Sequence, residues 1–353
     1  MRQPGVSNLV AADAPSEQLP LTATFNLTDP YPYQQALRAA EVEIVITAKG
    51  GFRGQVTRID IGRLWMQRGR ENLPNLFTLR LNPTRAAIMF LADTSQPALR
   101  HSGVDVSPDQ IMVYSHNVIE RRTFAPCHWA SMSLPPKDLA AVGLAIAGRE
   151  LTVPSATYVL RPTPALMSRL LTLHTEANNL ARMAPSVLAH PEVAKALEQY
   201  LIHAMITCLA EGAPERVSIA LNHHLKVIGK LEEFFAANPD RSLYVAEICA
   251  ATGTSERALR ACCHEQLGMG PMRYLWLRRM HLARNALLSS SEARTTVTTI
   301  AMDHGFWQLG RFAVQYHALF GELPSATLHR PPIDPIPHPY RQYPLALPTA
   351  EFE

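Results

Sequence analysis

A chain of 353 residues, 47% of them hydrophobic, is long enough to bury a sizeable core and to divide into two or three domains. Its net charge of +3 permits a polyanionic partner without requiring one, so charge alone assigns no function. No apolar run approaches the roughly 18 residues of a membrane helix, and the opening Met-Arg-Gln-Pro-Gly-Val-Ser lacks the apolar core of a secretory signal, so no membrane partner is expected. Five cysteines (Cys127, Cys208, Cys249, Cys262 and Cys263) form an odd, scattered set with no Cys-x-x-Cys pair. That argues against a disulfide framework and a thiolate zinc site, and it suits a reducing cytoplasm.

In chain order, residues 1–40 read as an N-terminal arm, the first thirty of them polar and irregular. From Glu41 to Leu134 the pattern is mostly short strands, among them the β-branched run at Val42, the alternating run from Gly54, and the runs at Leu76, Ala86 and Gln110. Many short strands at such spacing predict a small barrel or sandwich. Pro135 and Pro136 end it, and Lys137 to Ala147 reads as a helix. Two further helices are expected over 163–182 and 191–211, within a segment 161–212. Leu166, Leu170, Leu173 and Ala177 line one face of the first, and Val193, Leu197, Leu201 and Met205 one face of the second. Either barrel cover or a dimer seam would produce such stripes. The region 216–330 is helical throughout, and residues 331–353 hold seven prolines, as expected of an extended or disordered tail. The fold class is therefore α+β, strands first and helices after.

Inside the helical region one unit occurs twice. Ile248 and Gly253 recur as Ile300 and Gly305 after 52 residues, and Leu259, Leu267, Gly268 and Pro271 recur as Phe312, Phe320, Gly321 and Pro324 after 53. A repeated helix, glycine turn and helix of this size is the helix-turn-helix signature, with units over about 245–268 and 297–321. In the first unit Ser255 is a natural N-cap. On the helix that follows, Leu259, Cys262, Cys263, Gln266 and Leu267 share an inner face, and Arg257, Arg260, Ala261 and His264 point the opposite way. Outward arginines on a second helix are suited to a guanine edge, because the guanidinium fork spans O6 and N7. The amphipathic stretch from Tyr274 to Leu288 is a stiff rod that would set the two units into successive major-groove turns.

The stretch from about Lys226 to Arg330 resembles the AraC/XylS DNA-binding domain. The residues that carry the resemblance are Leu243-Tyr-Val-Ala-Glu-Ile, Ser255-x-Arg-x-Leu, Gly268-x-Gly-Pro-x-x-Tyr-Leu, Arg279-Met-x-x-Ala-Arg and Thr299-Ile-Ala-x-x-x-Gly-Phe, then Arg311-Phe, Tyr316 and Phe320-Gly-x-x-Pro-Ser. The run from Gly305 to Ala313 is similar to the branch that includes ethanolamine-utilisation regulators. The resemblance implies a two-lobed DNA reader behind an N-terminal, cupin-like β-barrel that binds a small effector, here expected over 41–160, with 161–212 as a dimerisation segment. It implies a homodimeric activator of a catabolic or stress operon, with double-stranded operator DNA and RNA polymerase as partners. The expected DNA-facing residues are Ser255, Arg257, Arg260, Ala261 and His264 in the first unit and Gln308, Arg311, Val314 and His317 in the second. Ala313, Val314 and Gln315 depart from the more usual polar and basic residues of the family. Candidate effector contacts on the strands are Trp65, Met89, Tyr114 and Trp129, although strand register is not readable at this level.

An enzyme is the rival from another class: a cupin-type small-molecule-binding or metal-dependent domain fused to the DNA-binding module. His101, His116 and His128 are separated by 15 and 12 residues with no His-x-His, and His264-Glu265 lacks a histidine at 268. Neither a metal, a cofactor nor catalysis is expected.

Overall fold

The computed structural model describes residues 21–38, 41–101, 103–116, 119–124, 126–215, 219–290 and 295–330, so the expected tail 331–353 and the first twenty residues of the arm lie outside it. The rest of the arm departs from the irregular reading. Strand β1 (Leu21–Leu27) pairs along its whole length with β3 (Gly54–Ile61). Phe25 and Leu27 alternate with Thr24 and Asn26, so one side of this polar-looking stretch meets the core and the other meets solvent. Helix α1 (Pro30–Ala36) follows, with Asp29 accepting from the Tyr31 amide at 2.9 Å and a proline in its first turn.

The strands form two sheets. The larger has the order β1, β3, β4 (Leu64–Glu71), β11 (Cys127–Leu134), β6 (Ala86–Leu91), β9 (Ile111–Val113), β12 (Tyr158–Arg161) and β13 (Ala213–Pro214). The smaller has the order β2 (Glu41–Ile46), β5 (Asn75–Arg80), β10 (Ile119–Arg122), β7 (Leu99–His101) and β8 (Val104–Val106). They face each other across a shared core, but no ladder among the described residues joins them, so the expected closed, cupin-like barrel is replaced by an open sandwich. Closure needs strands long enough to carry the stagger around a full circuit, and β7, β8 and β9 have three residues each.

Alternation along each strand sorts side chains into layers. Met89, Leu91 and Trp129 point between the sheets, while their neighbours Ile88, Phe90 and Ala130 point to the far side of the larger sheet. That far side is covered by α2 (Pro136–Ala147), α3 (Pro164–Met183) and α5 (Pro191–Glu211), with the short α4 (Pro185–Leu188) between the last two. Leu170 and Leu201 are fully buried there. The apolar stripes of the helix pair are thus consumed as cover within one chain, and the dimer seam expected on those stripes is not available. Burying each leucine is worth roughly 1.5–3 kcal/mol, which is reason enough for the pattern.

On the opposite side, the smaller sheet turns Val45 and Leu76 outward into a core shared with α6 (Ile219–Ala236), α7 (Val245–Thr252), α8 (Glu256–Leu267) and α9 (Pro271–Ser289). Polar tethers flank this contact: Arg278 pairs with Glu43 at 2.7 Å, and Arg100 pairs with Glu265 at 3.0 Å. The second half of α9 then carries a smaller core with α10 (Val297–Asp303), α11 (Leu309–Phe320) and α12 (Pro324–Leu328). The molecule is a stack: helices, larger sheet, smaller sheet, helical domain.

Candidate DNA-binding face and sandwich cavity

Each recognition helix is built by local chemistry. Helix α7 ends at Gly253 with φ of 69°, and α10 is followed by Gly305 with φ of 77°, a left-handed geometry that a side chain would strain. Ser255 then starts α8, its hydroxyl accepting from the Ala258 amide at 3.3 Å. Leu259, Cys262, Cys263, Gln266 and Leu267 are buried on α8, and Arg257, Arg260, Ala261 and His264 are exposed. Burial also pushes the thiol of Cys263 up to about 12, which leaves it an inert packing group.

On α11 the inner residues Phe312 and Tyr316 are buried, and Tyr316 donates to Thr327 at 2.9 Å. Gln308, Gly310, Arg311, Val314 and His317 are exposed, Val314 to 70%, while Gln315 is occupied as acceptor for the Trp276 indole at 3.1 Å. The nine expected DNA-facing residues therefore all reach solvent, on two helices that each follow a glycine turn. The face of α8 presents two guanidinium groups and an imidazole. The face of α11 is mostly small and apolar, with Gln308 and Arg311 near its start.

Helix α9 joins the two units and turns Arg278, Arg279 and Arg284 away from solvent, while Arg273 stays exposed over the Trp276 ring at 4.2 Å. Arg278 reaches Glu43 and Glu232, and Arg279 donates to the Asn238 and Arg241 carbonyls at 2.8 Å. Arg284 pairs with Asp29 and with Glu322 at 2.8 Å. These three hold the linker in place and are not on the exposed face.

Between the sheets lies a cavity of about 90 Å³. Trp65, Met89, Tyr114 and Trp129, dispersed over 65 residues of sequence, all line it. Sequence reasoning missed its polar members Arg38, Gln67, Arg85 and Arg121. Arg121 stacks on Phe77 at 4.0 Å and donates to Glu71 at 2.7 Å, and the Trp129 indole donates to Tyr33 at 3.1 Å. Burial pushes the Glu71 carboxyl up to about 7, against the pull of Arg121. The run Ile119-Glu-Arg-Arg offered no signal of a buried charge, because three consecutive charged residues read as facing solvent. Strand β10 also touches the DNA-binding side: Arg122 packs on Gly268 just past α8, where a Cβ would lie 2.3 Å from its guanidinium. The histidines weighed for metal binding lie in different settings: His101 is buried beside Tyr114, His116 is half-buried near the Arg85 carbonyl, and His128 is near Asp93. Among the described residues, no group of three or more His, Cys, Asp or Glu is placed to hold a metal ion.

Two helix-turn-helix units on one rigid linker define a DNA-binding domain, and comparison with known proteins agrees: a helix-turn-helix domain family matches residues 248–330. The chain carries a C-terminal domain of the helix-turn-helix kind found in activators of the AraC/XylS type. It is 33% identical over 99 residues to the XylDLEGF operon transcriptional activator 2 of Pseudomonas putida, covering 28% of this chain and 63% of that protein. It is 31% identical over 150 residues to a probable thc operon regulatory protein of Rhodococcus erythropolis, covering 42% of this chain and 45% of that one. Among solved structures, a probable AraC family transcriptional regulator from Rhodopseudomonas palustris is 37% identical, covering 30% of this chain and 98% of that chain with a TM-score of 0.27. The matched stretches span less than two thirds of these two curated relatives' own length. No helix among the described residues is long and apolar enough to cross a membrane.

Proposed function

We propose that the protein is a sequence-specific transcription regulator that binds double-stranded DNA through α8 and α11 and answers a small-molecule effector held between its two sheets. The observation that carries the reading is the pairing, on one chain, of two exposed recognition faces with a cavity between the sheets whose wall strand β10 also touches the end of α8. We assign effector binding to the sandwich, residues 41–160 together with β1 and α1, and DNA binding to residues 216–330. Activation of a catabolic or stress operon through RNA polymerase is the mode we favour, since the relatives are named for operon activation and regulation. Its place of action is the cytoplasm, where its DNA target is. Homodimerisation through residues 161–212 would use the outward faces of the helix pair, where Met183 is 82% and Tyr200 59% exposed, because the inward stripes are covered.

The test is selection of duplexes from a random library by the full chain. The expected result is a motif with two half-sites about 10 bp apart, the spacing of successive major-groove turns. Retention of all sequences alike, with a steep loss on adding salt, would mean only non-specific phosphate binding and would overturn the reading.

A further inference from the structure

The helical domain is docked on the smaller sheet over a layer rich in carboxylates. Glu43 on β2 and Glu120 on β10 both stand opposite Thr78 on β5, so the three form one row across the sheet. Val45 and Leu76, themselves opposite one another, share that face and enter the core with α6 to α9. From the docked side come Glu232 of α6, Arg278 and Tyr274 of α9, and the buried thiol of Cys263 on α8. Glu120 lines a small gap beside α8 together with Tyr274, Arg100 and Arg122.

Charge does not balance in this layer. Arg278 reaches Glu43 at 2.7 Å and Glu232 at 3.5 Å. The other arginines are engaged elsewhere, Arg100 with Asp105 and Glu265 and Arg122 over the Phe124 ring. Three carboxylates therefore meet one guanidinium. Oε1 of Glu232 is buried and has no hydrogen-bond partner among the described residues. Burial, with Glu43 adding to it against the pull of Arg278, pushes the Glu232 carboxyl up to about 7. Burial and the neighbouring Glu232 push Glu120 well above its ordinary range. Once the domains part, both glutamates face water and return to near 4.5. The docked state alone holds these protons, so docking is strongest at low pH and weakens as pH rises through the docked values. We propose that the row is a proton-operated latch: the helical domain closes on the smaller sheet with uptake of protons, and rising pH lets it go. Because Arg100 and Arg122 meet α8 at Glu265 and Gly268, opening the latch also frees the end of a recognition helix. The latch concerns docking alone and stands whether or not the cavity takes an effector. Between pH 6 and 8 Glu232 by itself weakens docking about tenfold, and Glu120 adds to this. His281, against the Ile46 carbonyl in the same interface, acts in the opposite sense below about 6.5.

The experiment follows opening of the full chain by thiol labelling. Leu76→Cys places a thiol in the interface core, where Leu76 is 4% exposed, and native Cys208, buried beneath the larger sheet, reports unfolding. Alkylation at pH 6 and pH 8, resolved by peptide mass, gives the labelling rate of each thiol. The rates are compared between Leu76→Cys alone and Leu76→Cys combined with Glu120→Gln/Glu232→Gln, so that thiolate content and His281 cancel. From pH 6 to pH 8 the rate at the new thiol is expected to rise at least tenfold more with the glutamates than with the glutamines, and to exceed that of Cys208 at both pH values. If the double glutamine variant does not fold, Glu232→Gln alone is read the same way, with a difference of about tenfold. An equal rise in both backgrounds overturns the latch. Equal rates at the new thiol and Cys208 would mean that the chain unfolds instead of undocking, and overturn it as well. So does a new thiol that stays unlabelled at both pH values, because the domains then remain closed.

Discussion

Arg257 and Arg260 share one face of α8 but not one state. Both Nε and a terminal nitrogen of Arg260 reach Glu256 one turn back, at 2.9 and 2.6 Å, with the two side chains 60% and 54% exposed. An exposed pair at this spacing is worth about 0.3–0.5 kcal/mol, against about 1–3 kcal/mol for a bidentate arginine–guanine contact. The guanidinium is therefore cheaply released to DNA. Arg257→Ala and Arg260→Ala are each expected to lose base preference at one base pair by about 1–3 kcal/mol, while Glu256→Gln keeps it. Binding to operators randomised one position at a time measures this, and an unchanged preference in both alanine variants refutes the readout. Ser255 belongs to the same face but spends its hydroxyl on the Ala258 amide. Ser255→Ala should accordingly cost about 1 kcal/mol of folding stability, read by denaturant titration, with the base preference at each position retained.

At the scale of elements, the two recognition helices are unlike. Helix α8 offers hydrogen-bonding groups in Arg257, Arg260 and His264, whereas α11 offers Gly310, Ala313 and Val314 with His317 in its last turn. A surface of that kind meets a thymine methyl but forms few directed bonds. The half-site read by α8 is expected to tolerate fewer bases than the half-site read by α11, which adds affinity mainly through backbone contacts near Arg311. Equal strictness in a saturation-mutated operator would sink this division. The helical units were legible in sequence because their determinants are local: a turn glycine, a cap, and a 3.6-residue period. What was not legible is non-local. The stripes at Leu170 and Leu201 announced a buried face without saying against what, and β1 was missed because an edge strand keeps polar residues on one side. Sheet closure depends on pairings between distant short strands, and the cavity arginines on a register that no local pattern supplies. With both leucines inside one chain, Leu170→Asp or Leu201→Asp is expected to give insoluble or unfolded protein, where an interface would have given folded monomers. Even Leu201→Ala should cost about 2–5 kcal/mol, measurable by thermal unfolding.

Across the whole molecule, a neutral histidine is buried at each boundary of the stack. His174 on α3 lies under the larger sheet against Phe90, His101 lies between the sheets beside Tyr114, and His281 on α9 meets the Ile46 carbonyl of the smaller sheet at 3.3 Å. Burial, aided by nearby arginines, holds His174 and His281 down to about 3 and His101 well below its usual range. In the unfolded chain each imidazole takes a proton below about 6.5, so the folded state alone stays unprotonated as the pH falls. These groups thus withdraw stability as pH drops through that value and contribute nothing against the fold above it. Glu71 and Glu232, pushed up to about 7 by burial, have the opposite sign: the unfolded chain releases their protons above about 4.5 and the folded chain does not, so they favour the fold as pH falls from 7. The two sets oppose each other between roughly pH 4.5 and 6.5, and a single stability curve does not separate them. A variant lacking one histidine does. His281→Gln keeps an amide donor for the Ile46 carbonyl and has no proton to refuse. Relative to wild type it should gain about 2 kcal/mol between pH 7.5 and pH 5, the linkage for a group held near 3 when folded. Paired denaturant titrations at the two pH values read the difference directly. A gap that stays constant would mean that His281 is protonated in the folded protein, and that α9 does not bury it against the sheet.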